Sequence, residues 1–105
     1  MNLGRSLYHN AKNRAKRKGI EFNLRISDIE IPEYCPYLHI KLSSGTYSDR
    51  KKGNSPTVDR IDATIGYIPS NIEIISDLAN RMKQNANKEQ LLTFAKSVLS
   101  HFDNK

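Results

Sequence analysis

Residues 57–83, TVDRIDATIGYIPSNIEIISDLANRMK, restrict the fold more than any other part of the chain. Two short β-forming runs, Pro56 to Ile61 and Asn71 to Ile75, flank a stretch from Asp62 to Ser70 that holds Gly66 and Pro69, the punctuation expected between strands. Ser76 stands where an N-cap belongs, because its hydroxyl can accept from the free N–H groups of a helix's first turn. Asp77 to Gln84 reads as that helix. Strand, turn, strand and capped helix make a ββα unit, so the expected fold class is α+β.

The flanks predict one helix on either side of this unit. Leu3, Leu7, Ala11 and Ala15 recur every four residues, with Tyr8 beside them and Gly19 as a stop, which predicts a helix over Leu3 to Lys18. Arg5, Lys12 and Lys16 fall together on a face away from that stripe, and Arg17 flanks it. Five cations between Lys12 and Lys18, Arg14 among them, make residues 1–19 a candidate phosphate-binding arm; a solvated lysine-rich face is the plainer alternative. Ile20 to Leu24 alternates apolar and polar residues as a half-buried strand would. Ser27 is placed to cap a short turn to Ile31, and residues 32–42 are expected to cover a core edge.

Residues 43–55, SSGTYSDRKKGNS, read as a mobile loop. Its Arg50, Lys51 and Lys52 are either solvated or in contact with phosphates. Asn87 and Gln90 have the spacing of a capping box, opening a last helix over 87–103. On it Leu91, Phe94, Ala95, Val98 and Phe102 form an apolar stripe expected to pack against the body. With no repeat and no composition break, residues 1–105 are expected to form one domain, with its core in 56–86.

Charge and cysteine narrow the function. The net charge is +6, and residues 1–60 carry twelve Lys/Arg against six Asp/Glu while the remainder carries five against five. A one-sided basic excess points to a polyanion, most often nucleic acid. Cys35 is the single cysteine, which excludes an internal disulfide and any zinc site built on two cysteines. No apolar run approaches the ~18 residues of a spanning helix, and the N-terminal MNLGRSLYHN lacks the apolar stretch of a signal peptide. A cytoplasmic protein with no membrane partner is expected.

The ββα order also gathers polar residues. Asp59 lies near the end of the first strand, Asn71 begins the second, and Asn80 lies one helical turn past Ser76. If hairpin and helix pack together, Asp59 and Asn80 can converge. A carboxylate and an amide oxygen are hard ligands suited to Mg²⁺ that keeps waters and binds substrate phosphate. Each residue also has a plainer reading: Asp59 and Asp62 as turn formers, Asn71 as a strand start, Asn80 as a solvated helix residue.

In this ordered set the chain resembles the HNH, or His-Me finger, endonucleases. Asn71, Asn80 and Lys83 reproduce that family's offsets of nine and three, and Asp59 is similar to the acidic metal ligand of the endonuclease VII-like branch. DRID-x4-GY-x3-N and the upstream CPYL-x-IKL look like variants in small phage HNH-like proteins. The resemblance spans about residues 11–95. It implies a ββα-metal core and a Mg²⁺- or Mn²⁺-dependent DNA endonuclease or nickase in which Asp59 and Asn80 hold the ion, Asn71 orders the loop and Lys83 joins the DNA-binding cations.

Two departures bear on this. Where many members place zinc-binding cysteines just ahead of the helical ligand, this chain has Ser76 and Ala79, so no zinc is expected and capping must replace it. Arg60 stands in place of the general-base His. Guanidinium cannot accept a proton at neutral pH, though it can grip phosphate. The base would then be Asp62, His39 or a water held by metal and substrate, with His39 ranked last. The alternative is a catalytically degenerate scaffold that binds DNA or a phage or host protein. His9 and His101 read as surface residues and Cys35 as buried packing. Tyr34, Tyr37, Tyr47 and Tyr67 either stack on bases or pack.

Overall fold

Gly19 ends the first helix. In the computed structural model, which describes residues 3–103, α1 spans Leu3–Lys18 and buries the predicted stripe, Leu7, Ala11 and Ala15. Gly19 takes φ +66°, which costs glycine little, and the turn closes as Gly19 N–H donates to Lys16 O and Ile20 N–H to Ala15 O, the helix-ending pattern glycine favours.

The strands β1 (Pro56–Arg60) and β2 (Ile72–Ser76) pair antiparallel, Val58 opposite Ile74 and Asp59 opposite Glu73. Successive side chains alternate between faces. Val58 and Ile74 join Leu7, Ala11, Ala15, Leu24, Ile29 and Tyr67 under α1. Ile75 packs instead with Cys35 and Ala79 on the side of α3 (Asp77–Lys83). A lone hairpin is marginal in water, and each buried aliphatic side chain contributes about 1.5–3 kcal/mol, so cover on both faces holds this one. The molecule is thus α+β, with four α-helices and a two-stranded sheet among the described residues. No described helix is long and apolar enough to cross a membrane.

Ser76 caps α3 as predicted, its Oγ accepting from Ala79 N–H at 3.1 Å. Ser76 also ties the start of α3 to the 35–42 segment, because its N–H and Oγ–H both donate to the buried Cys35 Sγ at 3.4 Å. Burial, the largest single influence, pushes the Cys35 thiol up; hydrogen bonds from Ser76, with the backbone N–H groups of Leu38 and Tyr37, together outweigh it and hold its pKa below the usual value.

Three segments differ from expectation. Ile20 to Leu24 is not a strand. Only Phe22 pairs, in a parallel bridge to Tyr67, fixed by Asn23 N–H to Tyr67 O and Tyr67 N–H to Glu21 O. Tyr67 runs almost at once into a 3₁₀ turn, Pro69–Asn71, which leaves no further partner backbone. The bridge demands glycine at position 66, where a Cβ would lie 2.6 Å from Glu21 O. The turn expected to start at Ser27 is a 3₁₀ turn over Ile26–Asp28, closed by Arg25 N–H donating to Asp28 Oδ2.

Segment 43–55, expected as a loop, contains α2 (Tyr47–Lys51), capped by Thr46 Oγ1 and held by Ser43 Oγ–H donating to Asp49 Oδ2. Gly53, buried at φ +82°, then docks the segment on α3, where Leu78 N–H donates to its carbonyl. The third difference is α4 (Lys88–Asp103). Asn87 and Gln90 make both arms of the capping box, yet the helix buries no residue. Phe94 is 65% and Phe102 66% exposed. α3, the helix before it, has only seven residues and offers too little surface to cover a sixteen-residue stripe.

Candidate functional site

A cleft of about 480 Å³ runs beside β1, between the end of α1 and the helix α3. Asp59 and Asn80 both line it, as the ββα order predicts, together with Arg14, Lys18, Arg60, Arg81 and Lys83. Its carboxylates are Asp59 and Asp77, so five cations face two anions.

Asp59 leaves β1 on the same face as Glu73. Its carboxylate accepts from Lys83 Nζ, in an ion pair whose side chains are only 10% and 11% exposed. Lys83 Nζ also donates to Arg60 O at 3.0 Å. Lys83, predicted as a DNA-binding cation, is thus drawn inward onto the predicted metal ligand. Asn80 lies three residues before it on the same helix face, and its side chain makes no hydrogen bond among the described residues. Beyond Asp59, Tyr37 Oη–H donates to Glu73 Oε2 at 2.6 Å. Burial, with that hydrogen bond and the charges of Glu73 and Asp59, raises the Tyr37 pKa well above the tyrosine range.

Asn71 is the buried centre of the β1–β2 loop. Its Oδ1 accepts from Asp62 N–H at 2.9 Å, and its Nδ2 donates to the carbonyls of Asp62, Ile65 and Gly66. One amide thereby bonds four backbone groups of the loop at once.

Arg60 is turned onto this same loop. Its Nη1 donates to Ala63 O at 2.8 Å and Ile65 O at 3.2 Å, and its guanidinium lies 5.4 Å from the Tyr67 ring centre, a cation–π distance. The residue predicted to grip phosphate therefore also fastens the loop. Asp62 does not line the cleft. Its Oδ1 accepts from Thr64 N–H and Oγ1–H at 2.8 and 2.6 Å, and these bonds hold its pKa below the usual carboxylate value. A lowered pKa makes it a weaker proton acceptor.

The predicted DNA-binding residues divide. Arg14 turns inward, donating to Val58 O at 3.2 Å and Tyr67 Oη at 3.4 Å, and lines the cleft. Lys12 lies 5.9 Å over the Tyr8 ring. Arg5, Lys12, Lys16 and Arg17 are exposed on α1 outside the cleft, as are Arg50, Lys51 and Lys52 on and just after α2, with Arg50 Nη1 donating to Ser44 O. Of the tyrosines, Tyr67 is buried beside Phe22, whereas Tyr34, Tyr37 and Tyr47 are exposed.

Lys18, which the sequence places only in the general basic run of residues 12–18, and Arg81, which it does not mark, both line the cleft. Their signal was the four-residue spacing: Lys18 follows Arg14 down the edge of α1's buried stripe, and Arg81 pairs with Asp77 at 3.1 Å one turn earlier. Arg14 and Lys18, on one edge of that stripe, reach the rim where helix meets hairpin, while Arg5, Lys12, Lys16 and Arg17 do not line it.

The donor set fits a hard divalent ion of the Mg²⁺ type, which needs only one or two carboxylates beside water and phosphate. Asp59 and Asn80 supply two oxygen donors in one cleft, and Asp59 already takes a cation there. No cluster of three or more His, Cys, Asp or Glu residues placed to hold a metal occurs among the described residues. Comparison with protein-family models, curated proteins and solved structures returns no match for this chain.

Proposed function

We propose that the cleft binds the phosphodiester backbone of DNA and that the chain is a Mg²⁺- or Mn²⁺-dependent endonuclease or nickase of the HNH type, with a ββα-metal core. The observation that supports this reading is that Asp59, Asn80 and five cations line one cleft. Lys18, Arg81 and Arg14 would neutralise successive phosphates, without base readout and therefore with strong salt dependence. Asn71 and Arg60 hold the loop that forms one wall. Asp59 and Asn80 would hold the divalent ion, which when bound stabilises the pentavalent phosphate and the leaving oxygen.

The base is the open step of this reading. Arg60 cannot serve, and Asp62, bonded to Thr64 outside the cleft, is poorly placed. A water held by metal and substrate is the base this reading adopts. The basic face of α1 and the Arg50–Lys52 run would add long-range attraction.

A second reading, a catalytically degenerate scaffold that binds DNA or a phage or host protein, draws on the Arg60 contacts and on the absence of any histidine from the cleft. Supercoiled plasmid incubated with Mg²⁺ or Mn²⁺ separates the two. The enzyme reading expects nicked circles with the wild type and at least a hundredfold fewer with Asp59→Ala. No nicking in either metal, or equal nicking by the variant, leaves the binding scaffold.

A further inference from the structure

The Lys83–Asp59 ion pair sets a condition on how this site can be loaded. Lys83 ends α3 one turn past Asn80 and reaches back across β1, with one N–H on Asp59 Oδ2 and another on Arg60 O. Both partners are close to buried. An ammonium and a divalent ion on one carboxylate repel each other strongly in so dry a place, so an ion that binds Asp59 favours release of the Lys83 head from Oδ2.

The displaced ammonium has nowhere neutral to go. The cleft beside it already carries Arg14, Lys18, Arg60 and Arg81 against Asp77 alone, and a desolvated amine leaves its partner at high cost unless another anion meets it. A phosphate in the cleft is such an anion, and an unbranched lysine stem can swing to it.

Resting on the proposed DNA and metal site, we propose that Lys83 is an exchange latch. It neutralises Asp59 while the cleft is empty, passes to a backbone phosphate when DNA arrives, and so releases Asp59 for the divalent ion. Metal and DNA then bind cooperatively, each strengthening the other by the same factor. Free protein is kept from loading metal in the absence of a substrate. Lys83 is here a positioning residue, acting through Asp59.

Mn²⁺ titration followed by the electron paramagnetic resonance of the free ion tests this on the full chain, with and without a short duplex that is verified to stay intact. In the wild type the duplex should tighten Mn²⁺ binding at least tenfold. Lys83→Gln should bind Mn²⁺ at least tenfold tighter than the wild type without DNA, and the gain from adding duplex should fall below threefold. An unchanged metal affinity in Lys83→Gln, or undiminished coupling, overturns the latch.

Asp59→Asn separates the two layers of the proposal. If it binds Mn²⁺ as the wild type does, the metal site itself is wrong and the latch falls with it; if it loses binding while Lys83→Gln behaves as wild type, only the latch is wrong. Should Lys83→Gln not fold, amine labelling of Lys83 in the wild type decides. Saturating Mn²⁺ must raise its reactivity, and an unreactive Lys83 beside a filled Asp59 site contradicts displacement.

Discussion

The β1–β2 loop and the helix α4 both follow clear sequence signals, yet they end in opposite states. In the loop, Asn71 is buried and satisfies four backbone groups, while Arg60 and Thr64 fasten what remains. In α4 the capping box is complete, but its apolar stripe lies open beside a shallow groove shared with Tyr37, Leu38, Ala79 and Met82. Local polar chemistry closes within a few residues and needs no distant help. An apolar stripe needs a cover from elsewhere in the chain or from outside it.

The contrast is sharpest in stability. Ile75→Ala, at a fully buried hairpin position, should cost about 2–5 kcal/mol in chemical denaturation. Leu99→Ala, on the open face of α4, should stay within about 0.5 kcal/mol. Comparable losses at both positions would show that α4 is covered after all.

Asn71→Ala should follow at about 1–3 kcal/mol, because it removes four hydrogen bonds from the loop and strands the buried Gly66 carbonyl. Asn71→Asp is expected to be nearly as damaging, since an ionised carboxylate cannot donate to the carbonyls of Asp62 and Gly66. A neutral outcome for either would mean that the loop holds itself without the amide.

How much of this was legible in the sequence follows the same division. The limits of α1, the cap at Ser76 and the Asn87–Gln90 box depend on spacings of three or four residues, and the structure has each of them; Asn71, expected to begin the second strand, instead ends the 3₁₀ turn before it and bonds the loop. The Phe22–Tyr67 bridge was not legible as a bridge, because alternation over five residues does not reveal how long the partner backbone stays extended. Nor was the inward turn of Arg14 and Lys83. Charge alone predicts exposure, and only the packed rim between α1 and the hairpin decides which cations face the cleft.

The smallest effect concerns pH. Thr64 holds the Asp62 carboxyl below its ordinary pKa, so the loop gains stability above the ordinary aspartate range and loses it as pH falls through the lower folded value. Thr64→Val keeps the backbone donor and removes the hydroxyl, so the Asp62 pKa read by carboxyl NMR should move up toward the ordinary value. No movement would assign the shift to Arg60 or to the backbone.

The central claim, that the cleft is where a nucleic-acid backbone lies, is tested most directly by the salt dependence of duplex affinity. Lys18→Ala with Arg81→Ala removes two cleft cations, and Lys88→Ala with Lys96→Ala removes two from α4, so net charge falls equally. Each phosphate contact contributes about one unit to the slope of log affinity against log salt. The cleft pair should lower that slope by about two and weaken binding, while the α4 pair leaves the slope unchanged. Equal slopes for the two variants would contradict the assignment of the cleft.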